Sequence, residues 1–395
     1  MTSVLLENIH SESPNNARVL IISDAAPHRN GVGAYYADLM NDLKPHISDI
    51  KMLSPEIIDN KWCGGWMLPL PGDNTQKVCL PNAFELQKNI RDYQPTVIII
   101  PTPGLFGLTG AVLAKKNNIP VIIGFHTWFE KLAGLYWNRL QGGLTRTYFE
   151  WVHKALFRLS DQTLANSFEM VEIAVNSSAP NVGLMGTPLA QDLLTQPLKS
   201  IPKSISKVLF IGRIAAEKNV QSIIDAAKAL PAITFTIAGD GPEREDVAEA
   251  TLNLPNVKIL GWVGRNDICE LIDEHDLLVL PSKVESFGTV ALEAMVRQRV
   301  VLVTEACGIV EWPALRKGLT VIGTGLELIK AIKDSAGLSE FELYRRCIVA
   351  RKCALDHVEW NRHQWLQYLM LAESKTDRLS SSEASVSSSK LKVLP

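Results

Sequence analysis

Leu277-Leu278-Val279-Leu280 runs directly into Pro281-Ser282-Lys283-Val284-Glu285-Ser286-Phe287-Gly288-Thr289-Val290-Ala291-Leu292-Glu293-Ala294-Met295. The apolar run reads as a buried strand. After a polar turn, Val290, Glu293 and Ala294 fall at helical spacing. A strand feeding a helix in this way is the unit of a parallel α/β sheet. Glu285 and Glu293 stand eight residues apart, and a helix over that interval is roughly 12 Å long. Carboxylates so placed can take hydroxyls at the two ends of an extended polar ligand. Between them, Phe287, Gly288 and Thr289 lie where the first free N–H groups of a helix point, a setting that favours an anion. Taken alone, the pair reads better as two solvated glutamates on an ordinary surface helix.

The rhythm continues on both sides. Residues 207–212, 234–239 and 257–262 read as further strands of the same domain. Gly212-Arg213-Ile214-Ala215-Ala216-Glu217-Lys218-Asn219 follows the first of them. Ligands of parallel sheets bind beyond the carboxyl ends of strands. Arg213 and Lys218 therefore stand at such an end, two cations that read either as ligand contacts or as ordinary surface charge. Helical patterns fill 327–336, 340–356 and 360–372, and the serine-rich residues 376–395 are expected to be disordered.

The amino-terminal half repeats the pattern. Residues 18–24 read as a strand, 27–33 as a loop containing Gly31 and Gly33, and 34–43 as a helix. The dinucleotide fingerprint needs a third glycine where this chain has Tyr36, so the loop does not mark an NAD site. Strands are expected at 48–53, 96–101, 120–125 and 162–165. His126 follows the third of these and points into the crevice if the register holds. Residues 183–206 hold Pro188, Pro197 and Pro202 and read as the interdomain connection.

The motifs P-S-x-x-E-S-F-G-x-x-x-L-E-A-M, G-R-x-x-x-E-K and the His126-Thr127 pair together resemble the retaining nucleotide-sugar glycosyltransferases of family 4, from Arg18 to about Ala372. That resemblance implies an α/β GT-B fold, with two Rossmann-like domains facing across a cleft and a C-terminal helix crossing back to the first domain. The implied division is an acceptor domain at 1–190, a linker at 191–206, a nucleotide-sugar-binding domain at 207–358, a crossover helix at 359–375 and a tail. Carried over, Glu285 contacts the sugar and Glu293 the ribose hydroxyls. Arg213, Lys218 and the backbone of Phe287, Gly288 and Thr289 hold the diphosphate. His126 supports the reaction centre, and Gly31, Gly33 and Val263 approach the donor. No metal and no cofactor are implied; the donor is a substrate, with a UDP-sugar favoured over a GDP-sugar. Departures fall at Met185-Gly186-Thr187-Pro188 and Cys307-Gly308, and at Gln298 and Val300, where the family has glycine and proline. A retaining glycosidase would instead set two carboxylates about 5 Å apart across one bond.

The spacing of His126-Thr127, Tyr136, Tyr148 and His153 is similar to the subgroup of sulfoquinovosyl-diacylglycerol synthases and lipid mannosyltransferases, which implies a lipid acceptor. Residues 115–158 hold nine aromatic residues and seven Lys and Arg against two Glu. Such a composition suits an anionic membrane surface, or a core whose bases form a solvated face. Transfer to a polysaccharide or lipopolysaccharide intermediate is the alternative activity, and a non-catalytic nucleotide-sugar binder the alternative class.

Composition narrows the field. A chain of 395 residues with 46% hydrophobic content supports two cores. Forty basic against 42 acidic residues argue against general nucleic-acid binding. Six cysteines without a C-x-x-C fit a reducing cytosol. With no apolar run near the ~18 residues of a membrane span, the expected location is cytoplasmic, peripheral on the inner face of the cytoplasmic membrane.

Overall fold

In the computed structural model the apolar runs become strands of two parallel sheets. The structure describes residues 16–25, 31–58, 61–63, 65–70, 73–126 and 139–389. The first sheet contains β1 (Arg18–Ile22), β2 (Asp49–Leu53), β3 (Val97–Ile100), β4 (Val121–Phe125), β5 (Gln162–Ala165) and β6 (Val182–Leu184). Its order is β6-β5-β4-β3-β1-β2. The second contains β7 (Lys207–Ile211), β8 (Thr234–Ala238), β9 (Val257–Gly261), β10 (Leu277–Leu280), β11 (Val300–Thr304) and β12 (Thr320–Ile322). Its order is β9-β8-β7-β10-β11-β12. Every residue of β3, β4, β10 and β11 is buried, as expected of strands covered on both faces.

Strand order reverses between β1 and β3 in the first sheet and between β7 and β10 in the second. At such a point neighbouring loops leave in opposite directions and open a crevice. The register Val208↔Leu277 and Leu209↔Leu278 sets the ends of β7 and β10 side by side. The stretch from Pro281 and the stretch from Gly212, 69 residues apart by subtraction, therefore emerge as neighbours. Two antiparallel hairpins, Glu56–Ile58 with Lys61–Cys63 and Gly65–Leu70 with Asp73–Pro81, add to the first domain. The second has a sequence signal, the Pro71-Gly72 dipeptide between its strands, which the strand–helix rhythm obscures.

The helices that build the site are α1 (Gly31–Leu43), α2 (Leu105–Lys116), α3 (Arg139–Leu159), α4 (Thr289–Val296) and α5 (Glu340–Ser389). Gly31 and Gly33 belong to the first turn of α1, not to a loop; the turn lies before the apolar periodicity that marks the helix from Ala34. Pro27 to Asn30 lie outside the described residues.

Helix α5 joins the domains. Ser339 accepts from the Glu342 amide at 3.3 Å, and Glu342 accepts from the Ser339 amide at 2.9 Å, a reciprocal cap. Leu343, Cys347, Ala350, Ala354 and Val358 pack into the second core. Trp365, Leu369 and Ala372 pack beneath the first sheet with Val19, Ile21 and Tyr36. No glycine or proline interrupts 340–389. The helices expected at 340–356 and 360–372 are thus one, and it continues through Ser389 into the stretch expected to be disordered. Serine lowers helix propensity without breaking a helix. Residues 390–395 lie outside the described residues.

The departures from the family pattern after Glu293 have local compensations. Helix α4 ends with Gln298 at φ 58°, in the left-handed region where glycine is usual. The Gln298 amide reaches Met295 O at 3.1 Å and the Arg299 amide reaches Ala294 O at 2.9 Å, the two bonds of a Schellman cap. Val300 donates its N–H to Asp276 O at 3.2 Å, which proline could not do.

Candidate active site

Local geometry at the second switch point follows from the two adjacent strand ends. After β7 the chain makes a 3-10 turn over Ala216–Lys218 and turns left-handed at Asn219, φ 55°. Glu217 O accepts the Lys283 amide at 2.7 Å, and Asn219 Nδ2 donates to Pro281 O at 3.2 Å. These bonds stitch the two loops into one platform. On it the Lys218 ammonium donates to Glu285 Oε2. Both side chains are 17% exposed. Burial works against the Lys218 charge, but Glu285 and then Glu217 outweigh it, and its pKa lies above the usual lysine value. Lys218 is therefore a fixed cation at neutral pH. Arg213 lies half-buried on the same strand end, just beyond β7.

A third loop braces Glu285. Gly308 donates to Glu285 O at 2.9 Å and Ile309 to Phe287 O at 2.8 Å. A Cβ on Gly308 would sit 2.0 Å from Ser286 O, so the second position of the usual glycine pair admits no side chain. Cys307, at the first position, is buried with Sγ 3.6 Å from Thr304 Oγ1. Gly288 adopts φ 98° immediately before α4. Thr289 opens that helix, with Gly288 and Thr289 backbone groups at its start. The Phe287 side chain does not face a donor: it is buried, stacked on His357 at 5.7 Å and edge-on to Trp312 at 6.4 Å. Only its backbone is available for the expected role, and its carbonyl is already taken.

Glu293 lies on α4 and is 3% exposed. Its Oε1 is 3.0 Å from Arg265 Nη1. Burial raises the Glu293 pKa and Arg265 opposes that rise. The other terminal nitrogen of Arg265 donates to Asp38 Oδ2 on α1. Val263, just upstream, packs partly buried against the second core.

His126 directly follows β4. Its Nε2 lies 3.1 Å from the Tyr36 hydroxyl, and its ring meets Tyr35 edge-on at 4.5 Å. A Cβ on Gly124 would lie 2.0 Å from the Tyr36 hydroxyl, so that glycine lets Tyr36 reach beneath β4. The residue that breaks the dinucleotide fingerprint is thus the one that positions His126. Burial lowers the His126 pKa to about 3 and does the same for His357, whose Nε2 accepts the Thr187 amide at 3.2 Å. Each histidine is held neutral; that stability is present above the unfolded imidazole pKa and is lost as pH falls toward about 3. Neither ring is expected to titrate between pH 8 and about 5. Ring nitrogen chemical shifts test this, and a midpoint near the free value for His126 would contradict its burial against Tyr35 and Tyr36.

Lys218 and Glu285 are thus in direct contact, and α1 carries Gly31 and Gly33 at its start, the tyrosines around His126, and Asp38 toward Glu293. Sequence reasoning missed Asp38, Arg265, Tyr35, Trp312 and His357. Asp38 and Arg265 are 227 residues apart, and no spacing rule links them. Thr127, Tyr136 and the other residues of 127–138 lie outside the described residues.

Two parallel six-stranded sheets, polar residues at their carboxyl ends and a shared last helix define the GT-B class of glycosyltransferase. The chain belongs to family 4 of these enzymes: a family model described as "Glycosyltransferase Family 4" matches residues 30–180, and "Glycosyl transferases group 1" matches 198–324. The sulfoquinovosyl transferase SQD2 of Arabidopsis thaliana is 25% identical over 255 residues, covering 59% of this chain and 48% of that protein. The chain thus spans about half the length of that relative. A GDP-mannose-dependent alpha-mannosyltransferase of Mycobacterium tuberculosis is 25% identical over 284 residues, 69% of this chain and 71% of the relative. The crystal structure of Anabaena Alr3699/HepE with UDP and glucose matches 90% of this chain and all of that one, with TM-score 0.66 and 17% identity. At that identity the likeness concerns the fold.

Proposed function

We propose that this protein moves a hexose from a nucleotide sugar, UDP-linked in preference to GDP-linked, to the hydroxyl of a lipid such as diacylglycerol. Transfer proceeds with retention at the anomeric carbon and without a metal ion. The observation that carries this reading is the Lys218–Glu285 ion pair at the switch point between β7 and β10. An ammonium has three donors, so Lys218 can keep Glu285 and still take a phosphate oxygen. The bond from the anomeric carbon to the β-phosphate oxygen breaks, and its electron pair stays on the phosphate. Lys218, Arg213 and the N–H groups beginning α4 stabilise that charge. The acceptor oxygen bonds to the carbon on the same face, and its proton passes to the departing phosphate. Glu285 accepts from sugar hydroxyls, Glu293 from the ribose, and neutral His126 supports the sugar by hydrogen bonding.

The lipid acceptor is supported by the sulfoquinovosyl transferase relative and by α3. Phe149, Val152, Leu156 and Phe157 face inward, whereas Trp151, Lys154 and Arg158 form one exposed stripe. An exposed tryptophan flanked by two cations suits an anionic bilayer surface at the cytoplasmic face. Among the described residues no helix is long and apolar enough to cross a membrane. The test is incubation of the purified chain with UDP- and GDP-sugars and diacylglycerol in anionic vesicles. UDP release with an α-linked glycolipid is expected. No nucleotide release with any donor would overturn the enzymatic reading, and turnover on soluble saccharides alone would overturn the lipid.

A further inference from the structure

Arg265 stands between two buried carboxylates from different domains. It follows β9 at the start of a 3-10 turn, after Gly264. One terminal nitrogen is 3.0 Å from Glu293 Oε1 on α4, and the other donates to Asp38 Oδ2 on α1. Asp38 is 5% exposed and Glu293 3%, whereas Arg265 keeps a third of its side chain open. The planar fork of a guanidinium serves two acceptors at once in a rigid geometry, whereas the donors of an ammonium are not held in one plane. One positive charge faces two negative ones here, so among the described residues neither carboxylate has a cation of its own. Losing the guanidinium would leave two like charges desolvated together, and both would take up protons. A protonated Glu293 would cease to be a two-oxygen acceptor for ligand hydroxyls.

We infer that Arg265 is a positioning residue for the nucleoside end of the donor site: it keeps Glu293 ionised and aimed, and through Asp38 it ties that end to the first domain. Filling of the nucleoside pocket and approach of the two domains are thereby coupled through a single side chain. The inference rests on the donor-site reading proposed above. It is independent of the Lys218–Glu285 platform, which belongs to different loops. Burial of Asp38, resisted by Arg265, lifts its pKa to about 7, in keeping with a carboxylate that depends on a shared cation.

Calorimetry with UDP and GDP, followed by donor kinetics, tests this on the full-length chain and on Arg265→Gln, Arg265→Lys and Asp38→Asn. Loss of a charged hydrogen bond should raise the nucleotide Kd and the donor KM by about tenfold to a hundredfold in Arg265→Gln. The turnover number should change much less, because the reacting bond lies at the other end of the donor. Arg265→Lys should recover part of the binding. Asp38→Asn should weaken binding less than Arg265→Gln, and adding it to Arg265→Gln should cost little more, since both act through one contact. An unchanged Kd in Arg265→Gln overturns the inference, as does an equal fall in turnover across all three variants. Wild-type chain that binds neither nucleotide overturns the donor-site reading itself.

Discussion

Lys218→Ala is expected to lower transfer by roughly a hundredfold to a thousandfold, the usual loss when one preorganised group facing developing negative charge is removed. The fall should appear in the turnover number, because leaving-group charge is greatest in the transition state. Lys218 is well placed for such an effect: it is mostly buried, fixed to Glu285, and mounted on loops that bond to each other through Glu217 and Asn219. Removing it also leaves Glu285, a mostly buried carboxylate, without its cation. Glu285→Ala should be comparably damaging by another route, the loss of the sugar's hydroxyl acceptor. Both variants should keep the fold, since the pair lies at the sheet's rim and the cores are untouched. Steady-state turnover alongside thermal unfolding checks this; near-normal turnover in either folded variant would remove the pair from the mechanism.

Arg297→Ala should be the most destabilising single change among the residues described above. The Arg297 side chain is wholly buried. It donates to Asp273 Oδ1 at 3.0 Å and to three linker carbonyls, Leu193 at 3.2 Å, Gln196 at 2.9 Å and Pro197 at 2.7 Å. Arg299 adds a bond to Ser200 O at 2.9 Å. The two arginines strap the interdomain linker to the second domain at the end of α4, the helix that carries Glu293. Truncation orphans those carbonyls and leaves the Asp273 charge buried beside Arg299 alone. Breaking a buried pair from one side costs about 3–5 kcal/mol. Urea unfolding should show a loss of that size. Arg297→Met with Asp273→Leu should recover part of it, because no charge is then left unpaired. A loss below about 1 kcal/mol for the single variant would mean that water replaces the guanidinium in the linker.

The contrast between these two sites shows what a sequence can carry. Lys218 and Glu285 each belong to a short motif at the end of an apolar run, and such runs mark both the strands and the places where their loops emerge. The alternation of strand and helix therefore disclosed the α/β class and the candidate platform together. Arg297 follows the same motif, yet nothing around it distinguishes a buried strap from a surface cation. Besides Asp273, its partners are backbone carbonyls about 100 residues earlier, and carbonyls have no sequence signature.

Other features depended on tertiary context in the same way. Tyr36 looked like a broken fingerprint, and only the close pass of Gly124 shows that its hydroxyl supports His126. Phe287 sits in the motif, but packing turns its ring toward His357. By itself the sequence determined two Rossmann-like halves and the polar residues at their strand ends. Those properties follow from local periodicity and from the chain's own order. The structure alone decided which strand ends are neighbours, and that one arginine holds a carboxylate from each domain. Contacts of that kind depend on strand order and on the packing of one domain against the other, which bring together residues that no local spacing relates.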